Sequence, residues 1–73
     1  MIKFNNAYDV DNYSFKDNEN NIFMFKLISI LLEQEKEWNP NMWVSELRPS
    51  TQQMIIDMGN TLYNREMELE KQK

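Results

Sequence analysis

The stretch IFMFKLISILL, residues 22–32, carries nine apolar side chains interrupted only by Lys26 and Ser29. It is too short to span a bilayer, which takes about 20 apolar residues, so it belongs to a helix that packs on protein. Projected at about 100° per residue, Lys26, Ser29, Glu33, Lys36 and Glu37 fall on one stripe, while the apolar side chains cover roughly 220° of the circumference. An ordinary surface helix needs an apolar stripe about half as wide. Either the N-terminal segment wraps this helix or a second copy of the chain packs on it. Upstream, Asp17-Asn18-Glu19-Asn20 offers N-cap candidates and acidic residues for a first turn. The predicted helix runs over 18–38.

Beyond it, Asn39 can cap and Pro40 can open a second, short helix, which Pro49 stops. Residues 40–48 are predicted to form this connecting helix and to present Met42, Trp43 and Leu47. Trp38 and Trp43 fit either a small core or an interface anchor. Ser50 and Gln53 then have the S-x-x-Q form of a capping box. A third helix is predicted over 51–71, with Ile55, Met58, Leu62 and Leu69 at coiled-coil-like spacing and Ile56, Tyr63 and Met67 beside them. Gly59 costs about 1 kcal/mol inside a helix relative to Ala. Either it permits the close approach of another element, or Gly59-Asn60 divides the helix in two.

Before the long apolar run, Ile2 and Phe4, Tyr8 and Val10, and Tyr13 and Phe15 form period-two pairs separated by Asn and Asp. That alternation predicts extended pieces with turns, or a small hairpin, over residues 1–17. A disordered arm is the alternative, although such arms seldom carry six large apolar side chains. The fold class expected is therefore mainly α: one small domain of two longer helices, a short connecting helix and an extended or small β N-terminal segment, assembled as a homodimer. A domain of 73 residues with no Cys and no His lacks disulfides and the usual zinc ligands, which leaves self-association as the common remaining route to stability.

The formal net charge of −4 argues against direct binding to nucleic acid or to an anionic membrane and favours basic partners. The N-terminus MIKFNNAYD shows no signal-peptide pattern, and a cytoplasmic location is expected. Catalysis would have to rely on carboxylates, hydroxyls, Lys and Arg. Asp9-Val10-Asp11 resembles part of a calcium loop, but Ser14 stands where that loop needs Gly and Asn20 where it needs Glu. A solvated acidic turn accounts for it, and no catalytic residue, cofactor or metal site is predicted. Glu33, Glu35 and Glu37 form one acidic run and Glu66, Glu68 and Glu70 another. Their i, i+4 like-charge pairs cost a helix a few tenths of a kcal/mol. They are either a solvated face or a surface shaped for a basic groove, where rows of carboxylates imitate phosphates.

Short length, acidity, absence of Cys and an AT-biased composition with ten Asn but one Ala and one Gly resemble the small acidic proteins with which phages of low-GC Gram-positive bacteria disable host machinery. The nearest group is the DNA sliding-clamp inhibitors of Twort-like staphylococcal phages. The resemblance implies a non-enzymatic protein of the host bacterial cytoplasm that binds the ring-shaped clamp, blocks its DNA channel and stops host replication. Clamp-binding peptides carry a Gln followed by aliphatic residues and a terminal Leu-Phe-like pair. Gln53-Met54-Ile55-Ile56-Asp57 has the beginning and lacks the end, and helix capping is the preferred role of this stretch. If the clamp is the partner, the expected contacts are carboxylates in its basic channel: Asp9, Asp11, Glu33, Glu37, Glu66 and Glu70. The rival expectation is an antitoxin-like or adaptor protein that binds a host protein through an apolar helical surface. A purely structural oligomer is the third.

Overall fold

The computed structural model describes residues 2–34 and 44–71. Within them the chain is mainly helical, with α1 at Ala7–Asn12, α2 at Asn18–Gln34, a single 3-10 turn at Val44–Glu46 and α3 at Pro49–Lys71. The end of the helix predicted over 18–38, the Asn39-Pro40 start, Met42 and both Trp residues lie outside the described residues.

The N-terminal segment departs from the sequence expectation: the described residues contain no strand, and a helix stands where the hairpin was predicted. The local cause is Asn6. Its side-chain oxygen accepts the Asp9 N–H at 2.8 Å, and its amide donates to the Asp9 carboxylate at 3.0 Å. The first bond is an N-cap, and the second, between the two side chains, holds the Asn6 amide in place to make it. The cap turns Ala7 and Val10, three residues apart, onto one buried face.

The non-helical residues on either side are held by asparagine side chains. Asn60 accepts from the N–H groups of Lys3 and Phe4 and donates to the Phe4 carbonyl. Asn21 does the same for Phe15, accepting its N–H at 2.7 Å and donating to its carbonyl at 2.9 Å. Each amide serves both polar groups of one backbone residue, as a neighbouring strand would, so these buried segments satisfy their hydrogen bonds without a sheet.

Phe4, Val10 and Ile55 are the largest wholly buried side chains. The Phe4 ring meets Tyr13 edge-on at 5.1 Å and Tyr63 at 6.1 Å, and Tyr13 meets Phe15 at 4.9 Å. Such T-shaped pairs contribute about 0.5–1.5 kcal/mol each beyond burial. The core therefore forms where the N-terminal segment lies on α3.

α3 runs unbroken through Gly59 and begins two residues ahead of the predicted start. Pro49 opens it instead of stopping the element before it, because a missing N–H and a fixed φ cost nothing at the first helical position. Ser50 then falls inside the first turn, and the predicted capping box is not made. Gln53 donates forward to Asp57 at 2.8 Å, while Gln52 reaches back to the Leu47 carbonyl at 2.6 Å. Asp17 stands just before α2 and caps it, its carboxylate accepting the Glu19 N–H at 2.9 Å. Met24, Ile28 and Leu31, at i, i+4 and i+7, form its buried line.

Candidate interaction surfaces

The six carboxylates expected to meet a partner lie in different settings. Asp9 and Asp11 are exposed on α1, and Glu33 is exposed near the end of α2. Glu37 lies outside the described residues. Glu70 forms an ion pair with Lys16. Glu66 is buried at 7% exposure, and its carboxylate accepts from the backbone N–H groups of Lys16 and Asp17 and from the Asn20 amide at 2.8 Å. It anchors the start of α2 to α3, next to the positive end of the α2 dipole, and is not available to a partner. At 1.5 Å per residue, Glu33 stands about 20 Å along α2 from Asn20. The fold therefore does not gather the five described side chains into one acidic surface.

Apolar exposure is the feature that sequence reasoning located without placing. The 220° apolar circumference of α2 is only partly covered: Phe25 is 73% exposed, Ile30 51% and Phe23 46%. Phe25 belongs to the α1 side, where it lines a shallow groove with Val10, Tyr13 and Met24. Phe23 and Ile30 lie roughly 140–160° further round the helix, with half-buried Leu27 between them. They form an i, i+4, i+7 line on the opposite flank.

α3 shows the same division. Gly59, Asn60 and Tyr63 face the N-terminal segment, whereas Met54 and Leu69, 55% and 53% exposed, lie on the flank away from it. Half-buried Met58 and Leu62 continue that flank. Where the start of α2 meets the end of α3, Glu19 and Asn20 line a mostly charged groove with Lys16, Asp17, Arg65, Glu66, Leu69 and Glu70. α1 packs against both α2 and α3, while Phe23 and Ile30 of α2 and Met54 and Leu69 of α3 stay about half exposed. Contiguous exposed apolar surface on a small domain marks an interaction site far more often than scattered single residues do.

Other chemistry is sparse. Lys3 sits over the rings of Tyr13 and Tyr63 at 5.8 and 5.5 Å, a cation–π arrangement that closes the aromatic cluster. Burial, then Tyr63 and Glu66 beside it, raise the Tyr13 hydroxyl above its ordinary value. Among the described residues no group of acidic side chains is arranged to hold a metal ion, and no helix is long and apolar enough to cross a membrane. No family model matches this chain, and neither a curated protein nor a solved structure does.

Proposed function

We propose that the chain is a non-enzymatic binding module that docks on another protein through apolar side chains left exposed on α2 and α3. The observation that carries this is the exposure of large apolar side chains on both long helices: Phe23 and Ile30, with half-buried Leu27, on α2 and Met54 and Leu69 on α3. The test compares the chain with a Phe23→Ser/Ile30→Asp variant as immobilised bait for a low-GC Gram-positive lysate, with circular dichroism confirming that both are folded. Apolar docking is expected to hold its partner through a high-salt wash and to lose it in the variant. Unchanged capture by the variant would sink the proposal.

A second reading keeps the acidic surface as the contact. The exposed carboxylates Asp9, Asp11 and Glu33, with the net charge of −4, support an inhibitor that competes with DNA for the bacterial sliding clamp, as the phage resemblance implies. It predicts that the clamp elutes at moderate salt, because exposed charge pairs are screened within about 10 Å at 0.1 M. It also predicts that Asp9→Lys/Asp11→Lys/Glu33→Lys abolishes capture. The homodimer expected from the sequence is the same apolar surface closed by a second copy, and sedimentation velocity distinguishes it from capture of a foreign partner.

A further inference from the structure

We infer that the groove between α1 and α2 is a separate recognition site, which takes an arginine side chain from a peptide segment of a partner protein. It opens on the flank of α2 away from Phe23 and Ile30 and holds about 330 Å³, at the small end of ligand-sized pockets. Its floor is built from core residues, since Val10, Met24 and Ile28 are all buried. Its wall at Asn21 is fixed, because that side-chain amide is engaged with the N–H and the carbonyl of Phe15. The groove is therefore formed before anything enters it, and a ligand does not have to order it.

The lip selects the ligand. Asp11, Ser14 and Phe25 line it and are exposed, Phe25 most of all. Among the described residues the Asp11 carboxylate makes no ion pair, and no cation lines the groove. Lys3 lies over the Tyr13 and Tyr63 rings, Lys16 pairs with Glu70, and Lys26 stands about 160° round α2 from Ile28. α1 itself carries Asp9 and Asp11 and neither Lys nor Arg. One uncompensated carboxylate beside an open ring and an aliphatic floor is complementary to a cation on an apolar stem. Arginine fits this set better than lysine. Its flat guanidinium stacks on a ring such as Phe25, its paired N–H groups match a carboxylate such as Asp11, and its methylenes lie along the floor.

The test is an NMR titration of the full chain with a capped pentapeptide that carries arginine between leucines. The same peptide with citrulline in that place keeps the shape and removes the charge. The arginine peptide is expected to half-saturate at about tenfold lower concentration, with the largest shifts at Asp11, Phe25 and the Ile28 methyl groups. Asp11→Asn should remove that advantage, whereas Glu33→Gln, which deletes the same charge away from the groove, should leave it nearly unchanged. Phe25→Ala should weaken both peptides severalfold. All three positions are exposed, and circular dichroism confirms that the variants are folded. The Phe23→Ser/Ile30→Asp variant should bind the arginine peptide as the natural chain does, so failure of this site and failure of the binding-module reading are distinguishable. Equal binding of the two peptides would overturn the inference by removing the charge selection. Equal losses in Asp11→Asn and Glu33→Gln would overturn it by reducing the effect to attraction toward an acidic chain. A dimer in sedimentation that Asp11→Asn disperses would assign the groove to a second copy and overturn it as well.

Discussion

A Cβ added at Gly59 would stand 2.8 Å from both methyl groups of Val10 and 3.2 Å from a ring carbon of Phe4. Both neighbours are almost wholly buried, and the short Val10 side chain has no flexible end that can swing away. Gly59→Ala gains about 1 kcal/mol of helix propensity but overpacks a filled core at about 1–3 kcal/mol, so a net loss of up to about 2 kcal/mol is expected in urea unfolding. Val10→Ala should absorb the added methyl, making the double variant more stable than the two single losses add up to; simple additivity would refute the contact. Tyr13 makes a different kind of statement. Its hydroxyl titrates above 10.0, first because of burial, so the folded state holds the proton more tightly than the unfolded one. The resulting stability is present below pH 10 and is lost as pH rises through the raised folded value. Stability measured into the alkaline range should fall more steeply for the natural chain than for Tyr13→Phe, and tyrosinate absorbance should show the matching late titration.

At the scale of elements, α2 and α3 were legible because each repeats its apolar pattern over several turns, whereas α1 was not. Six residues offer only the Ala7–Val10 spacing as helical signal, and Tyr8 with Val10 imitates strand alternation. The Asn6 N-cap, with Asp9 three residues on to hold it, was nevertheless present in the sequence. The same holds for Glu66. It follows Ile55 by eleven residues and Gly59 by seven, which puts it on the buried line of α3, while Glu68 and Glu70 turn outward. Reading the three as one acidic run obscured that. What no single-sequence pattern carries is the partner of Glu66, because two of its three donors are backbone groups of a loop about fifty residues away. Hydrogen bonds to a charged group contribute about 1.5–3 kcal/mol, so Glu66→Ala is expected to lower stability by roughly 2–3 kcal/mol. Hydrogen exchange should locate the effect, with the amides of Lys16 and Asp17 losing protection before those in the middle of α3. Unchanged exchange at those two amides would show that the carboxylate does not hold the start of α2.

The whole molecule is organised around its first few residues, which the sequence left open between an ordered segment and a loose arm. Phe4 is 2% exposed, touches Tyr13, Phe15 and Tyr63, and is clasped at both backbone polar groups by Asn60. The segment thereby ties α1, the loop before α2 and the middle of α3 into one core. A domain of this size seldom draws more than about 3–5 kcal/mol from its core, and removal of a buried Phe costs about 3–5 kcal/mol. Those magnitudes are equal, so Phe4→Ala is expected to unfold the chain as a unit. Far-ultraviolet circular dichroism should lose the signal of α2 and α3 together, and the near-ultraviolet signal of the Tyr13 and Tyr63 cluster should be lost with it. An arm that only rests on the surface predicts the opposite: near-native helicity and a small shift in midpoint. Substitution on the exposed face of α2 supplies the contrast, because Ile30→Asp changes a side chain already half in water and should leave the midpoint within about 0.5 kcal/mol of the natural chain. Loss of helicity in Phe4→Ala with retention in Ile30→Asp would separate the residues that hold the fold from those available to a partner.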